Sequence, residues 1–277
     1  ISENNLAELV RDLRSSKGYI DGEFKTFALD ICSDEYDKFF MDYGKYDYVM
    51  NLAALKHVRS EKDPYTIMRM ININILSNEK VINQCKIKNV KKYFCVSTDK
   101  AANPANIMGA TKKIMEMFLI KGSVDIDISS ARFANVLFSD GSLTYSFLNR
   151  IQKHQPIVAP KDIDRYFISK EESGQLCLIS TLLGKNNQIF FPKLSKNNII
   201  NFEDLAIKFL EINGFKPRLC KSEKDAREIS IKGVKNEWPC FFSKSDTSGE
   251  KKIEEFFLKD EKVILDKFKS IGIINGH

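Results

Sequence analysis

Four polar residues follow an apolar run near the middle of the chain. Ser97, Thr98, Asp99 and Lys100 come directly after Tyr-Phe-Cys-Val at 93–96, a run that predicts a buried strand. A carboxyl group and an amine at the end of one strand could move protons in a reaction, and each positioned acid or base contributes about 10²–10⁴-fold to a rate. A solvated loop with a salt bridge explains the tetrapeptide equally well, so both interpretations stay open at this point.

The next predicted helix, over 107–120, carries a second pair of candidate residues. Met108 and Lys112 stand four positions apart, and residues with this spacing share one face of a helix. We therefore predict that both side chains point together into one cleft. Of the two, only the lysine can exchange a proton.

These residues need elements that hold them, and the first half of the chain alternates helical and strand patterns. The predicted helices cover 6–13 behind an N-cap at Ser2, 35–43, 64–86 and 107–120. The predicted strands cover 24–31, 46–51, 92–97 and 126–136. Such alternation indicates βαβ units around a parallel sheet. Ligands bind beyond the carboxyl ends of the strands in such sheets, where we expect Asp30, residues 51–57 and residues 97–100.

The pattern becomes less regular after about Gly141. Prolines at 156, 160, 192, 217 and 239 interrupt it, and helices are predicted over 142–153, 171–183, 202–213 and 250–257. We interpret 1–140 as one α/β unit and 141–277 as a smaller C-terminal α/β lobe. The sequence shows no low-complexity linker between them, so we expect the two parts to interleave and pack closely.

Composition disfavours several classes of protein. The formal net charge is +6 and the sequence pI is about 8.8, with basic residues scattered along the chain. This modest excess could attract an anionic ligand, whereas a nucleic-acid binder would more often concentrate it in one stripe. The six cysteines form no C-x-x-C pair and only three histidines are present, so we expect free thiols and no metal site.

The same patterns bear on the location of the protein. No apolar run reaches the length of a transmembrane helix, and no signal peptide is visible. Free cysteines are typical of a reducing compartment, so we expect a cytoplasmic protein. The chain begins at Ile1 rather than at a methionine, and the sequence does not say what precedes it.

Several short motifs, in a fixed order, carry a resemblance to a known family. They are Ala54-Leu55-Lys56-His57-Val58, Asn74, Ser97-Thr98-Asp99-Lys100-Ala101 with Asn103-Pro104, Met108-Gly109-Ala110-Thr111-Lys112, Ala131-Arg132-Phe133-Ala134-Asn135-Val136, Asp164-Arg165-Tyr166-Phe167, and Gly249-Glu250-Lys251 with Glu254-Glu255. Together they resemble the polysaccharide-biosynthesis branch of the nucleotide-sugar 4,6-dehydratases, which belong to the extended short-chain dehydrogenase/reductase superfamily. The resemblance covers nearly the whole chain.

The resemblance implies a fold and a reaction. The fold is a Rossmann-like doubly wound parallel sheet that binds NAD or NADP, with the lobe at 141–277 binding the substrate. The implied enzyme is a lyase that converts a UDP- or GDP-linked N-acetylhexosamine to its 4-keto-6-deoxy derivative. Sugar C4 is oxidised, water leaves across C5 and C6, and the hydride returns to C6. Such reactions supply bacterial surface glycans or nonulosonic acids, and we expect a homo-oligomer.

The resemblance also assigns roles to the residues of the strand and the helix. Asp99 is the acid for the leaving C6 hydroxyl, Lys100 is the base at C5, Thr98 hydrogen-bonds the C4 oxygen, and Lys112 holds the nicotinamide ribose. A lysine base must be neutral, which requires burial or a neighbouring cation such as Lys112. The family's tyrosine is replaced by Met108, so the acceptor of the C4 proton is left open between Asp99 and a water.

Further residues are implied to contact the cofactor or the substrate. The implied cofactor contacts are Asp30, Ile31, Ala53, Ala54, Lys56, Asn74, Ser97 and Lys112. The implied substrate contacts are Lys56, His57, Asn135, Arg165 and Glu250. The planar fork of arginine suits a diphosphate. Structural alternatives stay open for three of them: Asp30 as a helix N-cap, His57 as a packed structural residue and Glu250 at the start of a surface helix.

The chain departs from the family at its start. The glycine-rich turn that cradles a pyrophosphate after the first strand is absent, and we expect the first strand, helix and second strand to be missing, about 40 residues for such a unit. We therefore expect the 277 residues alone to be inactive, to bind dinucleotide weakly and not to unfold as one unit. No arginine that could bind a 2′-phosphate lies near 2–4 before Arg11, which favours NAD over NADP.

Other functions fit the same motifs. A nucleotide-sugar epimerase, or a dehydratase that also epimerises C5, uses the same fold and the same hydride step. A non-catalytic dinucleotide-binding regulator is favoured by Met108. The Thr98-Asp99-Lys100 segment argues against a regulator, because a sensor needs no acid and base for an elimination.

Overall fold

A computed structural model describes residues 2–19, 24–43, 45–233, 236–247 and 249–276. The helices are α1 (Glu3–Lys17), α2 (Asp34–Tyr43), α3 (Pro64–Ile71), α4 (Ser77–Ile87), α5 (Ile107–Gly122), α6 (Leu143–Gln152), α7 (Lys170–Leu183), α8 (Phe202–Ile212) and α9 (Glu223–Ile231). The strands are β1 (Tyr48–Asn51), β2 (Lys92–Thr98), β3 (Asp127–Phe133), β4 (Asn135–Val136), β5 (Ile157–Pro160), β6 (Asp164–Ile168), β7 (Gln188–Pro192), β8 (Ile199–Asn201), β9 (Lys216–Leu219), β10 (Glu237–Ser243), β11 (Lys262–Ile264) and β12 (Ile271–Asn275).

The main sheet contains six strands in the order β1-β2-β3-β7-β12-β11. The first four run parallel, while β12 and β11 are antiparallel to their neighbours. β1 lies at one edge, where β2 is its only partner among the described strands. The predicted α/β fold class, a Rossmann-like parallel sheet, is confirmed.

Strand β2, which lies between β1 and β3, shows why the sheet is covered on both faces. Tyr93 and Cys95 pack against apolar side chains of α4 and α5, whereas Phe94 and Val96 pack on the other face against α7. Successive side chains of a strand point to opposite faces, so a strand that is apolar at every position fits between two layers of helices. This pattern produces the doubly wound arrangement.

The lobe adds two three-stranded sheets, β5-β10-β9 and β4-β6-β8. Phe147, Phe209 and Trp238 lie in its core, where α6 and α8 pack beside β5 and β10. However, β7, β11 and β12 lie within 141–277 and complete the main sheet. The two predicted ranges therefore interleave, and a domain boundary near 140 stays a prediction.

Most predicted elements form where the local pattern places them. Ser2 accepts a hydrogen bond from Asn5 N at 3.2 Å and caps α1. Pro64 begins α3, since proline suits the first turn of a helix, and the helical stretch continues through a π turn (Asn72–Leu76) into α4. The sequence patterns do not predict α9, although Ser222 caps it.

The strand predicted over 24–31 is wrong. Residues 24–30 have no regular secondary structure. Phe27 instead packs its ring against Phe39 and Tyr43 of α2, with ring centroids 4.5 and 5.6 Å apart. A strand needs neighbours for its backbone hydrogen bonds, and no described strand pairs with this segment.

The helix predicted over 250–257 is also wrong. Residues 249–261, which we call the strap, contain neither helix nor strand. Three backbone carbonyls of the strap accept hydrogen bonds from the side chains of Arg165 and Arg132. In an α-helix such carbonyls accept hydrogen bonds from amides four residues further on. Here the side chains of the two arginines donate to them instead.

The π turn between α3 and α4 places Asn74 at a junction. Its buried side chain accepts a hydrogen bond from Leu55 N at 3.0 Å and donates to Leu55 O at 2.9 Å and to Thr111 Oγ1 at 3.0 Å. Leu55 lies in the loop after β1 and Thr111 lies on α5, so one amide ties a loop and a helix together. Both amide hydrogens are used, and a direct contact of Asn74 with the cofactor stays a prediction.

We expect Asn74→Ala to destabilise the protein by about 1–3 kcal/mol, because the backbone N–H and C=O of Leu55 then lose their partners. Asn83→Ala is the matched control, since Asn83 is exposed on α4 and such substitutions usually change stability by about 0.5 kcal/mol or less. Urea unfolding compares the two variants, and hydrogen exchange at Leu55 N should accelerate only in Asn74→Ala. Equal stability of the two variants would show that this amide does not hold the loop.

Candidate active site

A cavity of about 940 Å³ opens beyond the carboxyl ends of β1, β2 and β3. Ligands bind at this edge in parallel sheets. The predicted site residues that line it are Ala54, Lys56, His57, Ser97, Thr98, Lys100, Met108, Lys112, Asn135, Arg165 and Glu250. The predicted site residues outside its lining are Asp30, Ile31, Ala53, Asn74 and Asp99. The structure thus brings most predicted residues into one cavity, while the role of each stays a prediction.

The end of β2 turns into a short 3₁₀ helix (Asp99–Ala101) that leaves Asp99 buried behind the cavity wall. Thr98 Oγ1 donates to Asp99 Oδ1 at 2.8 Å, and Lys100 Nζ donates to the same oxygen at 3.1 Å. The second oxygen, Asp99 Oδ2, is buried without a hydrogen-bond partner in the described part of the chain. Thr98 and Lys100 therefore face the cavity and share one carboxylate behind them.

The charged groups beside Lys100 differ from those we expected. Its amine lies 3.1 Å from Asp99 Oδ1 and 3.8 Å from Glu254 Oε1. The expected neighbouring cation, Lys112, directs its amine to Val96 O at 3.0 Å. Burial lowers the pKa of Lys112, so the fold disfavours the charge of this amine. Lys100 thus has carboxylate partners where we predicted a cation.

The start of α5 fixes the other wall of the cavity. Met108 and Lys112 both line it, as their four-residue spacing predicts. Asn106 caps the helix by accepting from Gly109 N at 2.8 Å, and Glu61 accepts from Met108 N at 2.7 Å. Satisfying these otherwise unpaired amides stabilises the first turn and so fixes where Met108 lies.

Arg165 and Glu250 line the cavity as a pair. Arg165 donates to Glu250 Oε1 at 2.9 Å and to the carbonyls of Lys251 and Lys252 at 2.8 and 3.1 Å. The guanidinium is only 3% exposed. Arg165 therefore anchors the strap, whether or not it also contacts a substrate. The alternative that Glu250 begins a surface helix is wrong, because Glu250 lies in the strap.

Arg132 supports the site from behind, and our sequence reasoning missed it. Its fully buried guanidinium donates to both oxygens of Glu116 and of Glu261 at 2.7–2.9 Å and to Phe256 O at 2.8 Å. Ser97, a predicted cofactor contact, donates to the same Glu116 at 2.7 Å. The Arg-Phe pair at 132–133 could have indicated this role, because an arginine within a buried strand needs buried partners for its charge.

Asp30 lies in a turn outside the cavity. It accepts from Cys32 N at 2.9 Å and pairs with Arg69, and these two partners hold the pKa of its carboxyl below the usual range. The alternative that Asp30 caps α2 is wrong, because Ser33 accepts from Tyr36 N. An adenine contact by Asp30 stays a prediction.

The other residues predicted near Asp30 and near the loop after β1 also have protein partners. Ile31 packs against the core beneath α4 and α5. Ala53 N donates to Asn51 Oδ1 at 3.1 Å, which shapes that loop. Contacts of Ile31 and Ala53 with a cofactor stay predictions.

Comparison with known proteins identifies the family. A family model described as "Polysaccharide biosynthesis protein" matches residues 1–275. The chain belongs to this family.

Three relatives illustrate how far the similarity extends. An uncharacterized membrane protein of Methanocaldococcus jannaschii is 29% identical over 99% of this chain and 76% of that protein. The capsular polysaccharide biosynthesis protein CapD of Staphylococcus aureus is 30% identical over 94% of this chain and 40% of its own length. An inverting UDP-N-acetylglucosamine 4,6-dehydratase of Campylobacter jejuni is 34% identical over 56% of this chain and 48% of its own length. This chain thus spans less than half the length of the latter two.

Solved structures support the fold. Pen from Bacillus thuringiensis superposes with a TM-score of 0.79 at 24% identity, over 99% of this chain and 77% of that chain. The dTDP-glucose 4,6-dehydratase DesIV from Streptomyces venezuelae, solved with NAD bound, has a TM-score of 0.67 at 13% identity, over 89% of this chain and 74% of that chain.

In this member of the polysaccharide biosynthesis family, Gly141 brings a histidine to the cavity. Gly141 adopts a φ of +72°, and a Cβ at this position would lie 2.8 Å from His57 Nε2. Burial and the neighbouring Lys56 lower the pKa of His57, and burial also lowers the pKa of Lys56. His57 therefore lines the cavity with its charged form disfavoured. Asn135 also lines it, and its amide donates to Tyr166 O at 3.3 Å.

Cationic side chains outnumber acidic ones in the cavity lining of this family member. The cations are Lys56, Lys100, Lys112, Arg165 and Lys170, and the acids are Asp140 and Glu250. A concave site with an excess of positive charge attracts ligands of the opposite sign, so the cavity suits an anion. Across the described residues, no three His, Cys, Asp or Glu side chains converge as metal ligands would, and no helix has the length and hydropathy needed to cross a bilayer.

Proposed function

We propose that this protein is a nucleotide-sugar 4,6-dehydratase, a lyase that converts a UDP- or GDP-linked N-acetylhexosamine to its 4-keto-6-deoxy derivative. One observation carries the proposal: Thr98 and Lys100 face an anion-attracting cavity and share the carboxylate of Asp99 behind them. An elimination needs an acid and a base at neighbouring positions, whereas an epimerase or a regulator does not. The similarities by themselves fit either reaction, since a UDP-glucose 4-epimerase of Rickettsia bellii is 33% identical over 55% of this chain, much as the Campylobacter dehydratase is.

We propose that the cavity holds a dinucleotide beside the sugar. Its volume of about 940 Å³ and its excess of cations suit a ligand with phosphates. Lys112 would hold the nicotinamide ribose and Lys56 would border the cofactor, and bound NAD or NADP would supply the hydride chemistry. We propose NAD rather than NADP, because no arginine that could bind a 2′-phosphate lies near residues 2–4 before Arg11. The inactivity of the 277 residues by themselves stays a prediction, so the experiments below use the full-length protein.

The residues of the chain would divide the proton transfers between them. Lys100 would take the proton from sugar C5. Asp99, or a water that passes the proton to it, would accept the proton of the C4 hydroxyl as C4 is oxidised, and Asp99 would give that proton to the C6 hydroxyl as it leaves. Thr98, which faces the cavity, would hold the C4 oxygen by a hydrogen bond. Because Thr98 and Lys100 both donate to Asp99 Oδ1, a small rearrangement would let a proton pass among the three.

A homo-oligomer and a cytoplasmic location remain part of this proposal. Tyr65 and Met68 of α3 and Met117 of α5 are between 60 and 82% exposed. Contiguous exposed apolar patches often mark a protein interface, and we propose that these three side chains contribute to one. Sedimentation velocity at micromolar concentration would contradict the oligomer by showing a monomer.

We expect the full-length protein in D₂O to convert UDP-N-acetylglucosamine to a product that has lost one water and carries deuterium at C5, because the C5 proton leaves and returns during elimination. Mass spectrometry and NMR of the product measure both, with the GDP-linked sugar run in parallel. An epimerase would give a product of unchanged formula, and a regulator would give none. Stoichiometric release of reduced cofactor would indicate an ordinary dehydrogenase and overturn the proposal.

A further inference from the structure

The strap brings a second buried carboxylate to Lys100. Arg165 of β6 holds the beginning of the strap, and Arg132 of β3 holds its later part. Between these anchors lies Glu254, whose side chain is 4% exposed. Its Oε1 lies 3.8 Å from Lys100 Nζ and 4.0 Å from an Arg165 nitrogen. Arg165 and Arg132 thus fix the strap, and the carboxylate of Glu254 lies beside the amine of Lys100.

Neighbouring residues show that this placement is selective. Glu255, the next residue, is 58% exposed, and its contacts are Lys251 at 3.9 Å and Asn103 at 3.4 Å. Glu254 points inward and Glu255 outward. Burying a carboxylate is costly unless it is paired, so the inward position of Glu254 implies that Lys100 and Arg165 compensate its charge.

We propose that Glu254 is a positioning residue for Lys100, which together with Asp99 fixes the lysine amine at the cavity wall and sets its charge state. The proposal rests on the proposed function where it concerns the reaction. Lys100 lies between the two carboxylates, Asp99 at 3.1 Å and Glu254 at 3.8 Å. When Lys100 accepts a proton from a substrate, both carboxylates stabilise the ammonium that results, as opposite charges at this distance do.

The charges that face Glu254 decide how it responds to pH. They are Lys100, Asp99, Arg165 and Lys251. Burial raises the pKa of the Glu254 carboxyl, Asp99 raises it further, and the three cations oppose the shift. Its negative charge is therefore lost at a higher pH than that of an exposed glutamate, and the support it gives to a protonated Lys100 is lost as the pH falls.

The proposal is tested first without any turnover, by competitive acetylation. Acetic anhydride reacts with neutral amines only, so the pH dependence of acetylation at Lys100, followed by mass spectrometry of the full-length protein, reports when this amine loses its proton. In Glu254→Gln we expect the Lys100 midpoint to fall by about one pH unit or more, because a negative charge beside the ammonium has gone. Glu255→Gln, the matched control, should leave the midpoint unchanged, and exposed Lys121 serves as the internal reference.

The acetylation result separates a positioning role from a structural one. Faster labelling of Lys100 at every pH with an unchanged midpoint would mean that Glu254 only packs the strap, and it would overturn the proposal. If Glu254→Gln yields no folded protein, Glu254→Asp decides the matter. The shorter side chain draws the carboxylate away from Lys100, so the midpoint should fall part of the way, and an unchanged midpoint would overturn the proposal.

Turnover supplies the second test. The rate should rise with pH as Lys100 loses its proton, and in Glu254→Gln this rise should move to lower pH. We also expect kcat to fall about tenfold or more, because the base is misplaced, while KM changes little. Glu255→Gln should match the wild type. If the full-length protein dehydrates no nucleotide sugar, the proposed function fails, whereas the acetylation midpoint still shows whether Glu254 controls Lys100.

Discussion

Lys100→Met in the full-length protein should lower turnover by about 10²-fold or more while leaving NAD affinity largely intact. The substitution keeps the apolar stem but removes the amine that lies 3.1 Å from Asp99 and faces the cavity. Neither Lys100 nor Asp99 is proposed to hold the dinucleotide, so the loss should appear in kcat. Lys121→Met is the matched control, because Lys121 lies on α5 with its side chain 78% exposed and should be fully active.

Three further variants separate the proposed roles. Asp99→Asn keeps the size of the side chain and removes the proton donor, so its turnover should fall as far as that of Lys100→Met. Met108→Leu nearly conserves volume and should cost less than about 1.5 kcal/mol in stability, with little loss of turnover. Lys112→Ala should weaken NAD binding as well as the rate. A fully active Asp99→Asn, or a Met108→Leu as impaired as Lys100→Met, would show that these roles are wrongly assigned.

The largest expected effect on stability is that of Arg132→Met. This arginine is fully buried and pairs with Glu116 and Glu261 at 2.7–2.9 Å. Removing it leaves Glu116 without its ion-pair partner and Glu261 with Lys113 at 3.9 Å, and breaking a buried pair from one side costs about 3–5 kcal/mol. Urea unfolding measures the change. Arg218→Met is the matched control, since Arg218 is 51% exposed and lies 3.8 Å from Glu237. A surface ion pair of this kind contributes about 0–1 kcal/mol to stability.

The same variant should release the later part of the strap. Arg132 also donates to Phe256 O, so limited proteolysis of Arg132→Met should cut within 249–261 faster than in the wild type. Adding Glu116→Gln should recover part of the lost stability, because the effects of two substitutions in one network on the free energy of unfolding are not additive. If Arg132→Met and Arg218→Met lose the same stability, the buried network does not hold the strap.

Local patterns in the sequence were enough to predict the central part of the fold. The run at 93–96 predicts a strand covered on both faces, because every position is apolar and successive side chains face opposite layers. Ser2 and Pro64 begin helices through contacts within one turn of the chain. The spacing of Met108 and Lys112 places both at the cavity, since four residues make about one helical turn. Each of these outcomes depends on neighbours a few residues apart.

Tertiary structure decided what such patterns could not. In the strap at 249–261, carbonyls that a helix would use accept instead from Arg165 and Arg132, which lie 86 and 124 residues away in the chain. Segment 24–31 forms no strand, since a strand depends on partners that its own residues do not provide. The contact of Glu254 with Lys100 likewise joins residues from distant parts of the chain. A single sequence records which groups are present, whereas the packing of remote elements determines which of them meet and which are buried.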